Sequence, residues 1–332
     1  MNYIGSKNKL SGWIKNNITQ TITTPLSEVV FCDLFAGTGI VGRTFKPEVK
    51  QVIANDVELY SYVLLKNYIG NHLPIAKAAF FIEKLNSLSD KKGFIAENYG
   101  ENGQANRLYF SEENAQKIDA CRQTIATWKK KGEISENEYY FLLASLLESA
   151  DKVANTASVY GAFLKKLKKS AEKPIVIEPA NFEITKNEHQ VFNQDSNQLI
   201  QKIEGDVLYL DPPYNARQYG ANYHLLNTIA EYDNFIPKGK TGLRNYYKSA
   251  YCQKGKVAEE LEELIKNAQF KYIFLSYNNE GLLSVAQIRA IFEKFGKYQL
   301  ETKKYQRFKA DKTNNRNHKA SSTEEYLHIL EK

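Results

Sequence analysis

EVVFCDLFAGTGIVG, residues 28–42, runs from a short apolar segment straight into a glycine-rich turn. Its first part is nearly continuous in Val, Phe, Cys and Leu, which suits a strand covered on both faces in a parallel sheet. Gly37, Gly39 and Gly42 then match G-x-G-x-x-G, and Asp56 closes the next apolar run, KQVIANDV (50–57). Glycines let a backbone approach a ligand at a strand end, and an acid ending the second strand can grip a ribose. NAD and S-adenosylmethionine both carry an adenosine and need these two devices. The pattern admits either, or a tight turn with no ligand. Asp33, at the end of the first run, favours S-adenosylmethionine: a carboxylate there repels a pyrophosphate and attracts the ammonium of a methionine.

Similar runs follow at HQVFNQD (189–195), DVLYLDPP (206–213) and KYIFLSYNN (271–279), with EEYLHIL (324–330) as a final strand. Helical patterns lie between some of them: ELYSYVLLKNYI (58–69), YHLLNTIAEY (223–232) and AEELEELIKNAQ (258–269). Strands alternating with helices predict a doubly wound α/β sheet. Residues 71–185 show no parallel-strand run and read as helices. Ser111 with Asn114 marks one helix start, and the capping box Ser135-x-x-Glu138 marks another. The expected organisation is an α/β domain from residues 1–70 and 186–332, interrupted by a helical insertion at 71–185.

A chain of 332 residues fits one large or two moderate domains. Mean hydropathy is −0.51, and no apolar run approaches the roughly 18 residues that span a bilayer. The start, MNYIGSKNKL, lacks the apolar core of a signal peptide. Cys32, Cys121 and Cys252 form neither a zinc spacing nor a disulfide framework, so a cytoplasmic protein is expected. The histidines are scattered, and no metal site is expected. The formal charge is +7, and its distribution is uneven. Residues 238–256 hold six basic side chains and no acid, with Tyr246, Tyr247 and Tyr251 interleaved. Residues 303–319 hold seven basic side chains and one acid, Asp311. These segments, with Arg244, Lys248, Arg316 and Lys319 among them, are candidates for phosphate contacts, against the plainer reading of solvated loops.

The run at 206–210 stops at DPPY, residues 211–214. A strand end in an open α/β sheet faces the ligand crevice. Asp211 presents an acceptor carboxylate there. Pro212 and Pro213 have no amide hydrogen, so their segment offers carbonyl oxygens alone in a fixed shape. Tyr214 adds a flat ring. Carboxylate, carbonyl and stacking surface together complement the exocyclic amine of a nucleobase, which is a two-hydrogen donor on a flat ring. That selects S-adenosylmethionine over NAD as the ligand of the glycine turn.

DPPY, DLFAGTG (33–39) and YIGSK (3–7), in this order along the chain, resemble the amino-group DNA methyltransferases. The likeness is greatest to the adenine-N6 enzymes of the alpha arrangement, which include the Dam methylase and many restriction-modification methylases. NQD (193–195), YNARQYGANYHLLNTIAEYDN (214–234) and SYNNEG (276–281) extend it over most of the chain. The resemblance implies a Rossmann-like S-adenosylmethionine-dependent sheet with a helical target-recognition insertion. It implies that Tyr3 and Lys7 lie against the methionine moiety, Lys7 on its carboxylate, with Asp33, Phe35, Gly37 and Gly39 around the methionine end. Asp56 would hold the ribose, and Asp195 would accept from the cofactor's adenine amine. Ser196 departs from the aromatic that many relatives carry next.

By the same resemblance a target adenine is flipped from duplex DNA onto Tyr214. Asp211 and the Pro212 carbonyl accept its N6 hydrogens, and S-adenosylhomocysteine is the product. The insertion is the expected reader of sequence. In NTASVYGAFLKKLKK (155–169), Asn155 and Ser158 are candidates for base edges, and Lys165 and Lys166, with Lys168 and Lys169, for phosphates. A monomer is expected, with any cognate restriction endonuclease acting separately. Alternatives are cytosine N4 or an RNA adenine as the accepting amine. An NAD-dependent oxidoreductase would leave DPPY unexplained, and a non-catalytic DNA-binding module would leave the cofactor motifs unexplained.

Overall fold

A computed structural model of the chain describes residues 7–306 and 322–332. Tyr3, Arg316 and Lys319 lie outside the described residues. The chain clusters into two compact units.

The first unit, Ser6–Val57, Asn187–Gln218 and Tyr247–Lys332, carries the sheet. Its described strands are β1 (Val30–Asp33), β2 (Gln51–Asn55), β3 (Gln190–Phe192), β4 (Glu204–Leu210), β5 (Gln269–Asn278), β6 (Lys297–Gln306) and β7 (Ser322–Glu331). They lie in the order β3-β2-β1-β4-β5-β7-β6. The first five are mutually parallel, and β7 is antiparallel to both β5 and β6. This is a Rossmann-like α/β sheet with an antiparallel edge. The edge strand β6 escaped the sequence reading. KYQLETKKYQ mixes lysines and a glutamate with Tyr298 and Leu300, which suits a strand paired on one side only.

Register fixes which side chains share a face. Cys32, Leu208 and Ile273 lie side by side across β1, β4 and β5. They join a core closed by Leu261, Leu264 and Ile265 of the helix Val257–Asn267 and by Ile288 and Phe292 of the helix Val285–Phe292. Ser284 and Gln287 form a capping box at the start of the latter helix, a signal present in the sequence and not read there. Asp33, Tyr209 and Phe274 occupy the opposite face. Among helices of this unit, Ile40–Phe45 starts directly after the glycine turn, and its Phe45 stacks on Phe31 with centroids 4.1 Å apart.

The second unit is helical and includes Glu58–Lys186 and Tyr219–Tyr246. It therefore takes in more of the chain than residues 71–185. Tyr60, Val63 and Leu64, and likewise Tyr223, Leu226 and Ile229, share one core with Leu142, Leu146 and Ile118. Local periodicity shows that a segment has an apolar stripe and not which stripe it meets, so this grouping was invisible in the sequence. The capping box at Ser135 and the Ser111 cap on the Asn114 N–H both form as read. Residues 154–186, by contrast, hold no helix or strand. Their backbone is tied to the helices by side chains. Asn114 accepts from the Ile175 N–H at 2.8 Å and donates to the carbonyls of Ala171 and Lys173. Asn86 brackets Ile177 in the same two-way manner, and Ser145 and Ser149 accept from Ala180 and Glu178. Such ties are what irregular backbone needs in order to be buried. Among the described residues no helix is long and apolar enough to cross a membrane.

Candidate active site

The glycine turn leaves β1 at Asp33 and closes on itself. Gly37 and Gly39 have φ of +55° and +76°, a left-handed backbone that costs other residues about 1–2 kcal/mol. The Gly37 N–H donates to Asp56 Oδ2 at 2.8 Å, and the Gly42 N–H to Asp33 Oδ2 at 2.9 Å. Asp33 is buried, and its second oxygen, Oδ1, has no hydrogen-bond partner among the described residues. Burial pushes its carboxyl up to about 7, against the Gly42 bond and with help from the charges of Asp211 and Asp56. An orphaned carboxylate oxygen beside a glycine turn fits the ammonium of a methionine moiety. Asn55, which the sequence reading passed over, holds the next layer: it donates to the carbonyls of Leu34 and Gln194 and accepts from the Gln194 N–H. Asn193 of NQD ties the other side by donating to the carbonyls of Asp56 and Val57.

Asp195 and Ser196 follow β3. Asp195 Oδ1 caps the short helix Ser196–Leu199 by accepting from Asn197 and Gln198, and its Oδ2 accepts from the Tyr247 hydroxyl at 2.6 Å. Ser196 is buried. Phe35 packs edge-on against Tyr251, at 5.1 Å between centroids, and Tyr251 donates to Asn197 at 2.8 Å. Two tyrosines of the basic segment are therefore tied to the fold, the exposed Tyr247 through Asp195 and Tyr251 through Asn197. Tyr251 is fully in the core, which removes it as a stacking surface for nucleic acid.

DPPY emerges from β4 on the Asp33 face. Two residues past Tyr209, Asp211 shares that face by strand alternation. Lys7 Nζ lies 3.1 Å from Asp211 Oδ1 and 2.7 Å from Glu325 Oε1. Burial opposes a charge on Lys7, but Asp211 and Glu325 outweigh it and hold the ammonium pKa well above its ordinary value. The sequence reading put Lys7 on a methionine carboxylate; here its ammonium is engaged by two carboxylates of the chain. Glu325 itself was missed. The signal was a charged residue in phase with the buried Leu327 and Ile329 of the same strand. Burial raises the Asp211 carboxyl to about 6, Lys7 pulls it down and Glu325 adds to the rise. Pro212 is buried and Pro213 half-buried. Tyr214 is half-buried, stands edge-on to Tyr277 at 6.2 Å, and has Lys7 Nζ 5.7 Å from its ring centre. The site thus presents an anchored acceptor carboxylate beside an aromatic face.

The expected nucleic-acid contacts fare unevenly. Asn155 is fully buried. It donates to the carbonyls of Leu108 and Leu164 and accepts from the Lys168 N–H, so it cannot reach a base edge. Ser158 is half-buried and donates to the Ala157 carbonyl. Lys168 donates to the Thr156 carbonyl at 2.8 Å. Lys165 and Lys166 are exposed, as is Lys248. Arg244 is paired with Glu231 and Asp233 and packs on Phe235, so its guanidinium serves the fold.

The chain matches the family model of D12 class N6 adenine-specific DNA methyltransferases over residues 3–291. It is 64% identical over 332 residues, all of this chain and 99% of the relative, to the Type II methyltransferase M.NlaIII of Neisseria lactamica. The Type II methyltransferase M.CviAII of Paramecium bursaria Chlorella virus 1 is 41% identical, covering 93% of this chain and 92% of the relative. M.FokI of Planomicrobium okeanokoites is 37% identical over the whole chain, which spans 53% of that protein. The match spans the glycine turn and DPPY alike, and the chain belongs to the D12 class of N6 adenine-specific DNA methyltransferases.

Proposed function

We propose that the protein transfers a methyl group from S-adenosylmethionine to N6 of an adenine flipped out of duplex DNA, as the modification partner of a separately acting restriction endonuclease. The observation that carries the reading is Asp211, anchored at one oxygen by Lys7 at the mouth of β4, with Tyr214 beside it.

When bound, S-adenosylmethionine supplies a methyl on a cationic sulfur that departs as a neutral thioether. Asp33 Oδ1 would receive its ammonium, Asp56 its ribose hydroxyls and Asp195 its adenine amine, with Phe35 at the methionine end. Asp211 and the Pro212 carbonyl accept the two N6 hydrogens and turn the nitrogen lone pair towards the methyl. Tyr214 carries the base face. As the new N–C bond forms, positive charge develops on N6 beside the Asp211 carboxylate, which stabilises it. The surplus N6 proton then passes to Asp211, whose raised pKa suits it to hold a proton for a time. Lys165, Lys166 and Lys248 would meet backbone phosphates.

The test is direct. The protein is incubated with methyl-labelled S-adenosylmethionine and either mixed-sequence duplex DNA or RNA, and the digested nucleosides are separated. Label in N6-methyldeoxyadenosine is expected. Label in N4-methyldeoxycytidine, or in RNA alone, overturns the reading.

A further inference from the structure

Glu325 is a charged residue where the strand pattern calls for an apolar one. It lies on β7 opposite Asn278, while Ser276 lies opposite Leu327, so Glu325 and Ser276 are diagonal neighbours on one face. Ser276 donates to Glu325 Oε1 at 2.7 Å, the same oxygen that receives Lys7 Nζ at 2.7 Å. Glu325 is completely buried, and its other oxygen has no hydrogen-bond partner among the described residues. A buried carboxylate is costly and persists only where a paired charge holds it. Here the partner is an ammonium already shared with Asp211, and it sits closer to Glu325 than to Asp211.

Two carboxylates therefore divide one ammonium. Asp33 is close enough for Asp211's charge to bear on it, and Lys7 Nζ lies 5.7 Å from the centre of the Tyr214 ring. The pocket around Asp211 keeps surplus negative charge. Paired one-to-one with Lys7, Asp211 would be more nearly neutralised and a poorer acceptor.

We propose that Glu325 is a positioning residue for methyl transfer: tethered by Ser276, it holds Lys7 between two carboxylates, so that the ammonium fixes the direction of Asp211 without cancelling its charge. The inference rests on Asp211 as the acceptor of the N6 hydrogens. In the step concerned, the N6 lone pair forms the bond to the methyl carbon and the sulfur–carbon bond breaks with its electron pair to sulfur. The proton leaving N6 goes to Asp211. Surplus negative charge favours both the developing cation and the proton's arrival.

Single-turnover methyl transfer, its pH profile, and S-adenosylmethionine affinity by calorimetry are measured for the full chain and for Glu325→Gln, Glu325→Asp, Ser276→Ala and Asp211→Asn. Glu325→Gln is expected to slow transfer about tenfold or more with cofactor affinity held within about twofold. Its acidic limb should move to lower pH, because loss of a neighbouring negative charge makes Asp211 easier to ionise. Glu325→Asp should recover part of the rate. Ser276→Ala, which keeps every charge, should lose rate without moving the acidic limb. A folded Glu325→Gln protein with wild-type rate and pH profile overturns the inference, as does a rate loss explained wholly by weaker cofactor binding. Should Glu325→Gln fail to fold, unchanged rate in Ser276→Ala overturns it. Asp211→Asn, which keeps an acceptor oxygen but loses the charge, separates the two readings: an active variant refutes Asp211 as the charge that receives the N6 proton, whereas an inactive one beside a normal Glu325→Gln refutes only the role of Glu325.

Discussion

Asp33 Oδ2 accepts the backbone N–H of Gly42 at 2.9 Å, so one carboxylate locks the end of β1 to the turn that follows it. The other oxygen is buried and unmatched among the described residues. This is a poor arrangement for an isolated fold and a good one for a cationic ligand.

Its consequence is a pH dependence of known sign. Burial raises Asp33 in the folded chain to about 7 from 3.8. Between those values the folded state binds more protons than the unfolded one, so this group's contribution to stability falls as pH rises towards 7 and is constant above. Asp33→Asn should therefore raise the melting temperature relative to wild type at pH 8 and change it less at pH 5. Cofactor affinity in the wild type should strengthen as pH rises through about 7, as Asp33 ionises to meet an ammonium, and should be flat in Asp33→Asn. Melting scans and calorimetry check both; a cofactor affinity independent of pH in wild type counts against the assigned role.

Asp211→Ala should leave cofactor affinity near the wild-type value and reduce methyl transfer by at least about 100-fold. Near-normal labelling of adenine by this variant would remove Asp211 from the chemistry.

Asn155 and Lys165 should separate stability from DNA binding. Asn155→Ala leaves the Leu108 and Leu164 carbonyls and the Lys168 N–H without their partner, at a cost of about 2–3 kcal/mol. Lys165→Ala and Lys166→Ala should leave the melting temperature unchanged, weaken DNA binding, and each lower the slope of log affinity against log salt by about 1. Urea unfolding and binding titrations across salt concentrations distinguish the cases. A full salt slope in the double lysine variant would move the phosphate contacts elsewhere.

Gly281 lies against the ring that flanks the proposed base floor. A methyl group there would sit 2.1 Å from Tyr277 Cε1, and Tyr277 is the edge partner of Tyr214. Gly281→Ala should destabilise by roughly 1–3 kcal/mol, the range for overpacking. It should also raise the DNA concentration needed for half-maximal rate more than that for cofactor. Equal effects on the two substrates would show that the Tyr214 floor is undisturbed.

Much of the sheet was legible because continuous apolar runs ending in acids and glycines have few other uses. The runs behind β1 to β5 and β7 all lie in the sheet, and the caps at Ser111 and Ser135 stand where their spacing put them. The lysines of residues 155–169 looked like phosphate contacts and the asparagine like a base reader. The segment is irregular, and Asn155 is taken up by the backbone that irregularity leaves unpaired. Arg244 looked like a phosphate contact until Glu231 and Asp233 came beside it.

The sequence by itself determined the order of the motifs and the chemistry each can offer, because a strand end, a glycine turn and a proline pair act on their own backbone. Tertiary structure decided which charges meet. Lys7, Asp211 and Glu325 come from distant parts of the chain and meet where β4, β5 and β7 lie side by side. A charge energy depends on distance and burial, and neither is written in the spacing of residues along the chain.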